Sequence, residues 1–135
     1  MRDEQVRRYS RHILLPDVGG LGQTALLVAS ARLELREQEP DAELIAASYL
    51  AAGGVGTIVV RGATDAQLAE LAARGPDSRV VAEPPLTPDG RDVSREVALQ
   101  PRPAWWPSAE GDQAALAFWR GGLAAARWMA GIANK

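Results

Sequence analysis

Residues 57–81 read TIVVRGATDAQLAELAARGPDSRVV and predict a strand, a helix and a second strand in succession. The β-branched run at 57–60 is typical of a strand. Thr64 or Asp65 can cap the helix that follows, because a side-chain oxygen accepts a hydrogen bond from a first-turn N–H group. A Gly-Pro-Asp turn is expected to end that helix before the next strand begins at 79–81.

The residues before this stretch repeat the same alternation. Leu33 and Leu35 alternate with charged residues, as in a half-buried strand. Pro40 suits the start of a helix that should end at Gly53-Gly54. Residues 32–83 therefore predict a βαβαβ core, and right-handed crossovers make its sheet parallel. The expected fold class is α/β: a reduced Rossmann-like domain with three to four mainly parallel strands, flanking helices and an apolar C-terminal helix.

The rest of the chain is expected to pack around this core within a single domain, since 135 residues support one modest hydrophobic core. Residues 1–30 are expected to be a helical segment, in which a glycine-rich turn separates two short helices. Residues 84–110 hold most of the prolines and should be irregular, apart from one more strand at 93–99. Residues 111–133 should form the C-terminal helix.

Composition excludes several classes of function. With a net charge of -2, the chain lacks the excess of basic residues that is typical of nucleic-acid-binding proteins. The chain has no cysteine, which removes disulfides, thiolate metal sites and thioester chemistry on its own side chains. The charged N-terminus is not followed by the apolar core of a signal peptide. The most apolar stretch contains Arg120 and Arg127 and is interpreted as a buried helix, so no membrane contact and a cytoplasmic location are expected.

The C-terminal helix is apolar around most of its circumference, which indicates that it is covered on most sides. One side can face the sheet, and a second subunit is the expected cover for the other. The candidate interface residues are Phe118, Trp119, Leu123, Trp128 and Met129. An ordinary core helix in a compact monomer remains the alternative. A loop containing Trp105-Trp106 could also line a ligand pocket.

Two runs carry a family resemblance. Residues 8–23 read RYSRHILLPDVGGLGQ, and residues 49–58 read YLAAGGVGTI. Both resemble segments of the ThiF/MoeB/HesA adenylating enzymes, which activate the C-terminal carboxylate of a ubiquitin-like or sulfur-carrier protein with ATP and magnesium. The resemblance is good over residues 7–60 and weak beyond them. It implies a Rossmann-like fold and a homodimer, or a heterodimer with a ThiF/MoeB-like protein.

The positions that hold ATP in that family are altered here. Phosphate is normally held where a strand turns into a helix, by glycines and by the helix N-terminus. The corresponding turn at 36–43 has no glycine and carries four carboxylates. The second strand ends in Val60-Arg61-Gly62 instead of in an acid for the ribose hydroxyls. The resemblance therefore implies a relative with no cofactor, unless ATP and magnesium are held in an unfamiliar way.

Arg11 is the one functional position that matches the family pattern. It corresponds to the arginine that reaches across the dimer to the partner's ATP phosphates, a role suited to a permanently charged, fork-shaped donor. A surface salt bridge is the alternative role for this residue. His12 beside it is expected to be packed or solvent-facing instead of acting as a base, because no second titratable partner is evident.

These observations predict a non-catalytic, dimerising relative of the ubiquitin-activating-type enzymes that has lost ATP binding. It would be a pseudoenzyme that partners a full adenylating enzyme. The first alternative is an ATP-dependent adenylyltransferase that acts on the C-terminus of a ubiquitin-like or sulfur-carrier protein. The second is a small-ligand binding or regulatory domain.

Overall fold

Four parallel strands form one sheet in the computed structural model, which describes residues 1–10, 12, 18–36, 40–105 and 113–134. The elements follow the chain as helices and strands with these bounds: α1 Asp3–Arg8, α2 Gly19–Val28, β1 Ser30–Glu34, α3 Asp41–Ala52, β2 Thr57–Arg61, α4 Asp65–Arg74, β3 Arg79–Val81, β4 Arg95–Glu96 and α5 Gln113–Ala133. The strand order is β3-β2-β1-β4. This confirms the predicted α/β class and the reduced Rossmann-like arrangement.

The βαβαβ unit forms the centre of the fold. β1 and β2 are in parallel register from Ser30 opposite Thr57 to Glu34 opposite Arg61. The core side of the sheet carries alternating apolar residues, among them Leu33, Ile58 and Val60, which are almost fully buried. Period-two alternation thus places one face of each strand against the helices.

Helix α3 packs against both the sheet and α5. Its inner face is made of small and medium apolar residues that are fully buried: Ala46, Ala47, Leu50 and Ala51. α5 approaches so closely that a Cβ added at Gly121 would clash with the backbone of Ala42 and lie 3.0 Å from the amide nitrogen of Ala46. The two helices run in the same direction, since Leu116 lies near Ala42 and Met129 lies against Gly53.

The opposite face of the sheet is crossed by the helix-free connection 82–94. Val59 points to this face and is fully buried. On the neighbouring strand, Arg32 donates to the Ser94 carbonyl oxygen (3.2 Å) and pairs with Asp92 (3.4 Å). A parallel crossover from β3 back to β4 is right-handed only if it passes over this face. The connection therefore does the covering that a helix does in a larger Rossmann-like domain.

Several element bounds differ from the sequence prediction. The glycine-rich turn expected in the N-terminal segment is the first part of α2, and the first strand begins at Ser30, earlier than the Leu33–Leu35 pattern suggested. The strand expected at 93–99 has only two paired residues, because β1 alone flanks it. The first helix ends at Arg8, where Tyr9 turns inward and is buried.

None of the helices among the described residues is both long enough and apolar enough to cross a membrane.

Two glycines of α5 offer a matched test of the close helix contact. We expect Gly121→Ala to lower the free energy of unfolding by about 1–3 kcal/mol, because the new methyl group overpacks the α3 backbone. Gly131→Ala meets open space and should stabilise the helix by about 0.5–1 kcal/mol. Urea denaturation of both variants measures the difference, and equal effects would contradict the packing described for α3 and α5.

Candidate functional site

The crevice between the carboxyl ends of β1 and β4 is the position where an open parallel sheet binds its ligand. Here the strand order reverses, since β2 follows β1 on one side and β4 lies on the other. Ligands of doubly wound folds occupy such switch points. A cavity of about 390 Å³ lies at this place, lined among others by Glu34, Arg36, Glu43, Glu96, Val97 and Leu99. Its volume is within the range of small-molecule sites.

Glu43 is a buried carboxylate at this crevice. It stands in the first turn of α3, one helical turn before Ala46 and Ala47 and two turns before Leu50, so it shares their inner face. Its exposed fraction is only 3%. The Nε of Arg36 donates to Glu43 Oε1 (3.1 Å), while Oε2 is buried with no hydrogen-bond donor among the described residues. The helix period thus places a negative charge where a Rossmann-like fold would hold phosphate.

The sequence predicted four carboxylates at the phosphate position, and the structure shows where two of them, Asp41 and Glu43, lie. Glu37 and Glu39 lie outside the described residues. Asp41 is exposed and lies on the side of α3 that faces α5, near Gln113 and Arg120. Among the described residues of the turn, Glu43 is the carboxylate that lines the crevice. The sequence pattern contained the signal, since Glu43 is the only acid on the apolar stripe of its helix.

The carboxyl end of β2 carries a positive charge. Arg61 is its last residue, is exposed, and lies opposite Glu34 in the register with β1. Gly62 follows with a φ of +84°, which favours glycine and turns the chain toward α4. A dinucleotide fold places an acid for the ribose hydroxyls near this position. As the sequence predicted, β2 ends in Arg61, so an arginine stands where such a fold would have the acid.

The N-terminal segment that carries the family resemblance docks at the other end of the sheet. Asp77, between α4 and β3, accepts hydrogen bonds from Arg2 Nη2 (3.1 Å), Gln5 Nε2 (3.2 Å), the Tyr9 hydroxyl (2.6 Å) and Arg8 Nη1. Its side chain is 6% exposed. Arg8 and Tyr9 therefore anchor the N-terminus to the fold, at the amino ends of β2 and β3 and away from the crevice.

The ionisation of this cluster follows from its contacts. Burial alone would raise the pKa of Asp77, but hydrogen bonds from Tyr9, Gln5 and Arg8 outweigh it and lower the pKa below the ordinary value of 3.8. Burial, together with the hydrogen bond to Asp77, raises the pKa of Tyr9 to about 12. The cluster therefore holds a carboxylate and a neutral phenol over most of the pH range.

His12 takes a packing role in the same region. Gln23 is fully buried, and its Nε2 donates to the carbonyl oxygen of Gly53 (3.0 Å). The Gln23 side-chain oxygen therefore faces His12, whose Nδ1 donates to it (2.9 Å). Arg11, the candidate phosphate-contacting residue, lies outside the described residues.

The five candidate interface residues of α5 lie in three different environments. Phe118 is 57% exposed and stacks edge-to-face on Tyr49, with ring centroids 5.8 Å apart. These two rings border an open groove of about 340 Å³ along α3, which Arg74 of α4 also lines. Trp128 and Met129 instead pack against the hydrophobic core.

The other two candidates, Trp119 and Leu123, are half-buried. Trp119 meets the ring of Trp105 at a centroid distance of 6.1 Å. Trp105 is 70% exposed, and Trp106 lies outside the described residues. Phe118 is thus the candidate whose ring is most available to a partner.

Removing the Asp77 charge should loosen the N-terminal anchor. We expect Asp77→Asn to lower the free energy of unfolding by about 1.5–3 kcal/mol near neutral pH, the typical contribution of hydrogen bonds to a charged group. A carboxyl whose pKa is lowered on folding stabilises the protein above its unfolded value of 3.8, and this stabilisation is lost as the pH falls through the folded value.

The difference between the wild type and Asp77→Asn should therefore shrink in acid, as measured by urea denaturation between neutral pH and pH ~3. Asp89→Asn is the control, because Asp89 is 60% exposed and its two partners, Arg91 and the hydroxyl of Thr87, belong to the same surface turn. A stability difference that does not change with pH would contradict the assigned role of Asp77.

Comparison with models of protein families and with curated proteins found no match to this chain. The resemblance to the ThiF/MoeB/HesA enzymes consequently rests on the two sequence runs and stays a prediction.

Proposed function

We propose that this chain is a non-catalytic module of ThiF/MoeB/HesA type that has lost ATP binding and acts by associating with another protein. The observation that carries the proposal is the buried carboxylate of Glu43 in the first turn of α3, at the switch-point crevice. Folds of this class bind nucleotides at such a crevice, and here the buried side chain at the helix end has the same sign of charge as a phosphate.

Electrostatics make this substitution costly for ATP. Two like charges 4 Å apart repel by about 4 kcal/mol at an effective dielectric of 20, and each 1.4 kcal/mol is a tenfold loss of affinity. Glu34 and Glu96 line the same cavity and add to the repulsion. Arg36 reduces it only partly, since its Nε already donates to Glu43.

A role in association is supported by the exposed aromatic pair on the helical side. Tyr49 is 39% exposed and Phe118 57% exposed, and large aromatic residues are enriched at the centres of protein interfaces. The partner in this proposal is a second copy of the chain or a full adenylating enzyme, with a ubiquitin-like carrier protein as that enzyme's substrate. Arg11 would then contact the partner's nucleotide, and this role stays a prediction.

Calorimetric titration with ATP and magnesium tests the loss of nucleotide binding. We expect no binding heat for the wild type, while a catalytically competent ThiF-type enzyme gives a clear signal with the same ligand solution. Residual affinity should increase in Glu43→Gln, because this variant removes the repelling charge and keeps the side-chain shape. Glu70→Gln is the matched control, since Glu70 is 74% exposed on α4.

Micromolar ATP binding by the wild type would contradict the proposal. It would favour the alternative function, an adenylyltransferase for the C-terminus of a ubiquitin-like or sulfur-carrier protein. That alternative also requires ATP–pyrophosphate exchange in the presence of such a carrier protein.

Sedimentation of the purified chain over a concentration series tests self-association through the aromatic pair. We expect the wild type to dimerise and Phe118→Ala to shift the equilibrium toward the monomer, because the exposed ring loses its contact area. Leu86→Ala should leave the equilibrium unchanged, since Leu86 is 61% exposed and belongs to the connection on the other face of the sheet. Equal dimerisation by both variants would contradict this interface, and a wild-type chain that stays monomeric throughout would exclude a second copy as the partner.

A further inference from the structure

Helix α3 is apolar on its outer side as well as on the side that it buries. After Glu43 it has no charged residue through Ala52, its last position. The core covers one side of this segment, whereas Ile45 and Ser48 on the other side are half-buried and Tyr49 is exposed. A helix that is apolar around its whole circumference is normally covered on all sides. We therefore expect another protein surface to cover the outer side of α3.

The outer side of α3 forms the floor of one continuous groove. Two open cavities of about 340 Å³ and about 230 Å³ lie along it, and both are lined by Ile45 and Ser48. Phe118 and the small residues Ala114 and Ala117 of α5 form one wall. From residue 41 to residue 52 the helix is about 16 Å long, so the groove can accept about three turns of another helix.

Asp41 carries a negative charge at the end of the groove where α3 begins. It is exposed and lines the smaller cavity. Arg36 and Arg120 lie on its other side, but the Nε of Arg36 donates to Glu43 and the Nε of Arg120 to the carbonyl oxygen of Gln100. Among the described residues, Asp41 has no ion-pair partner of its own. Its carboxylate can therefore pair with a cation of another molecule.

Arg74 carries a positive charge at the other end of the groove, where α3 stops. It lines the larger cavity beside Ala52, and the glycine that follows it packs against the backbone of Ala51. Arg74 pairs with Glu70 of its own helix at 3.8 Å, and both side chains are mostly exposed. Such an exposed pair contributes little, so the guanidinium can exchange it for a carboxylate of another molecule.

Opposite charges at the two ends of one groove make the groove complementary to a second copy of itself. In a two-fold symmetric dimer both copies use the same surface, and every contact occurs twice. When the α3 helices of two copies pack antiparallel, the Asp41 end of each groove faces the Arg74 end of the other. Ile45 and Ser48 then lie near the two-fold axis, because they are midway between the two ends. This charge pattern favours a second copy over an unrelated apolar helix as the occupant.

We propose that the groove along α3 is the interface of a two-fold symmetric homodimer, in which the α3 helices run antiparallel and Asp41 of each protomer pairs with the partner's Arg74. The exposed rings of Tyr49 and Phe118 are removed from water at the centre, and the ion pairs at the rim set the direction of the helices. This inference rests on the proposed function, since it names the partner and the geometry of the association proposed there.

Charge reversal tests the antiparallel pairing. We expect Asp41→Arg and Arg74→Asp each to raise the dissociation constant of the dimer about tenfold, because two exposed attractions become two repulsions. The double variant Asp41→Arg/Arg74→Asp should dimerise nearly as well as the wild type, since both pairs are restored with reversed polarity. Sedimentation over a concentration series measures all four proteins. Asp89→Arg is the control that should leave the dissociation constant unchanged, because Asp89 is 60% exposed in a turn outside the groove.

The position of the two-fold axis has a test of its own. The chain has no cysteine, so Ser48→Cys introduces a single thiol beside the proposed axis. We expect a short bismaleimide reagent to join two copies of this variant into a covalent dimer. Leu86→Cys should stay monomeric under the same conditions, since Leu86 is 61% exposed on the connection that crosses the other face of the sheet.

Rescue by the double variant separates pairing between copies from effects within one chain, because Asp41 and Arg74 of the same copy lie at opposite ends of the groove. A double variant as weak as the single ones would overturn the antiparallel arrangement, and so would unchanged dimerisation of the single variants. A wild-type chain that stays monomeric would also overturn it. None of these results affects the loss of ATP binding, which calorimetry measures separately and on which the proposed function depends.

Discussion

The packing of α3 against both the sheet and α5 is the constraint on which the rest of the structure depends. Small residues on both helices permit this packing, with Gly121 set against the backbone of Ala42. A closely packed helix has little freedom to rotate about its axis, because rotation would move its apolar stripe out of the core. Every residue on that stripe is therefore buried, and Glu43 is one of them.

The burial of Glu43 places an acidic side chain at the carboxyl end of the sheet. In a nucleotide-binding relative of this fold, the first turn of the corresponding helix meets phosphate with glycines and free N–H groups. Here the same turn has no side-chain cap, and its inward-facing residue is an acid. The switch-point crevice of an open parallel sheet is thus present, and a buried acid lies at the helix end beside it.

Several residues of the 8–23 run have structural contacts at the amino end of the sheet, and these contacts explain their presence without a catalytic role. Arg8 and Tyr9 bind Asp77, and His12 binds Gln23, which reaches the Gly53 carbonyl oxygen. A Cβ at Gly54 would collide with the Tyr9 ring, so the motif and the glycine turn fit each other. The two runs that carry the family resemblance therefore pack together, and this contact gives both of them a structural role that does not depend on an active site.

The sequence by itself determined the central elements of this protein closely. β2, α4 and β3 were predicted within a residue or two, because their limits depend on local signals such as the Thr64 cap and the turn at Gly75. Tertiary structure decided the start of β1 and the length of β4, since a strand exists only where a neighbour supplies hydrogen bonds. It also decided that Glu43 lines the crevice: the helical period places Glu43 on the apolar face of α3, but only the pairing of β4 with β1 brings a cavity to that face.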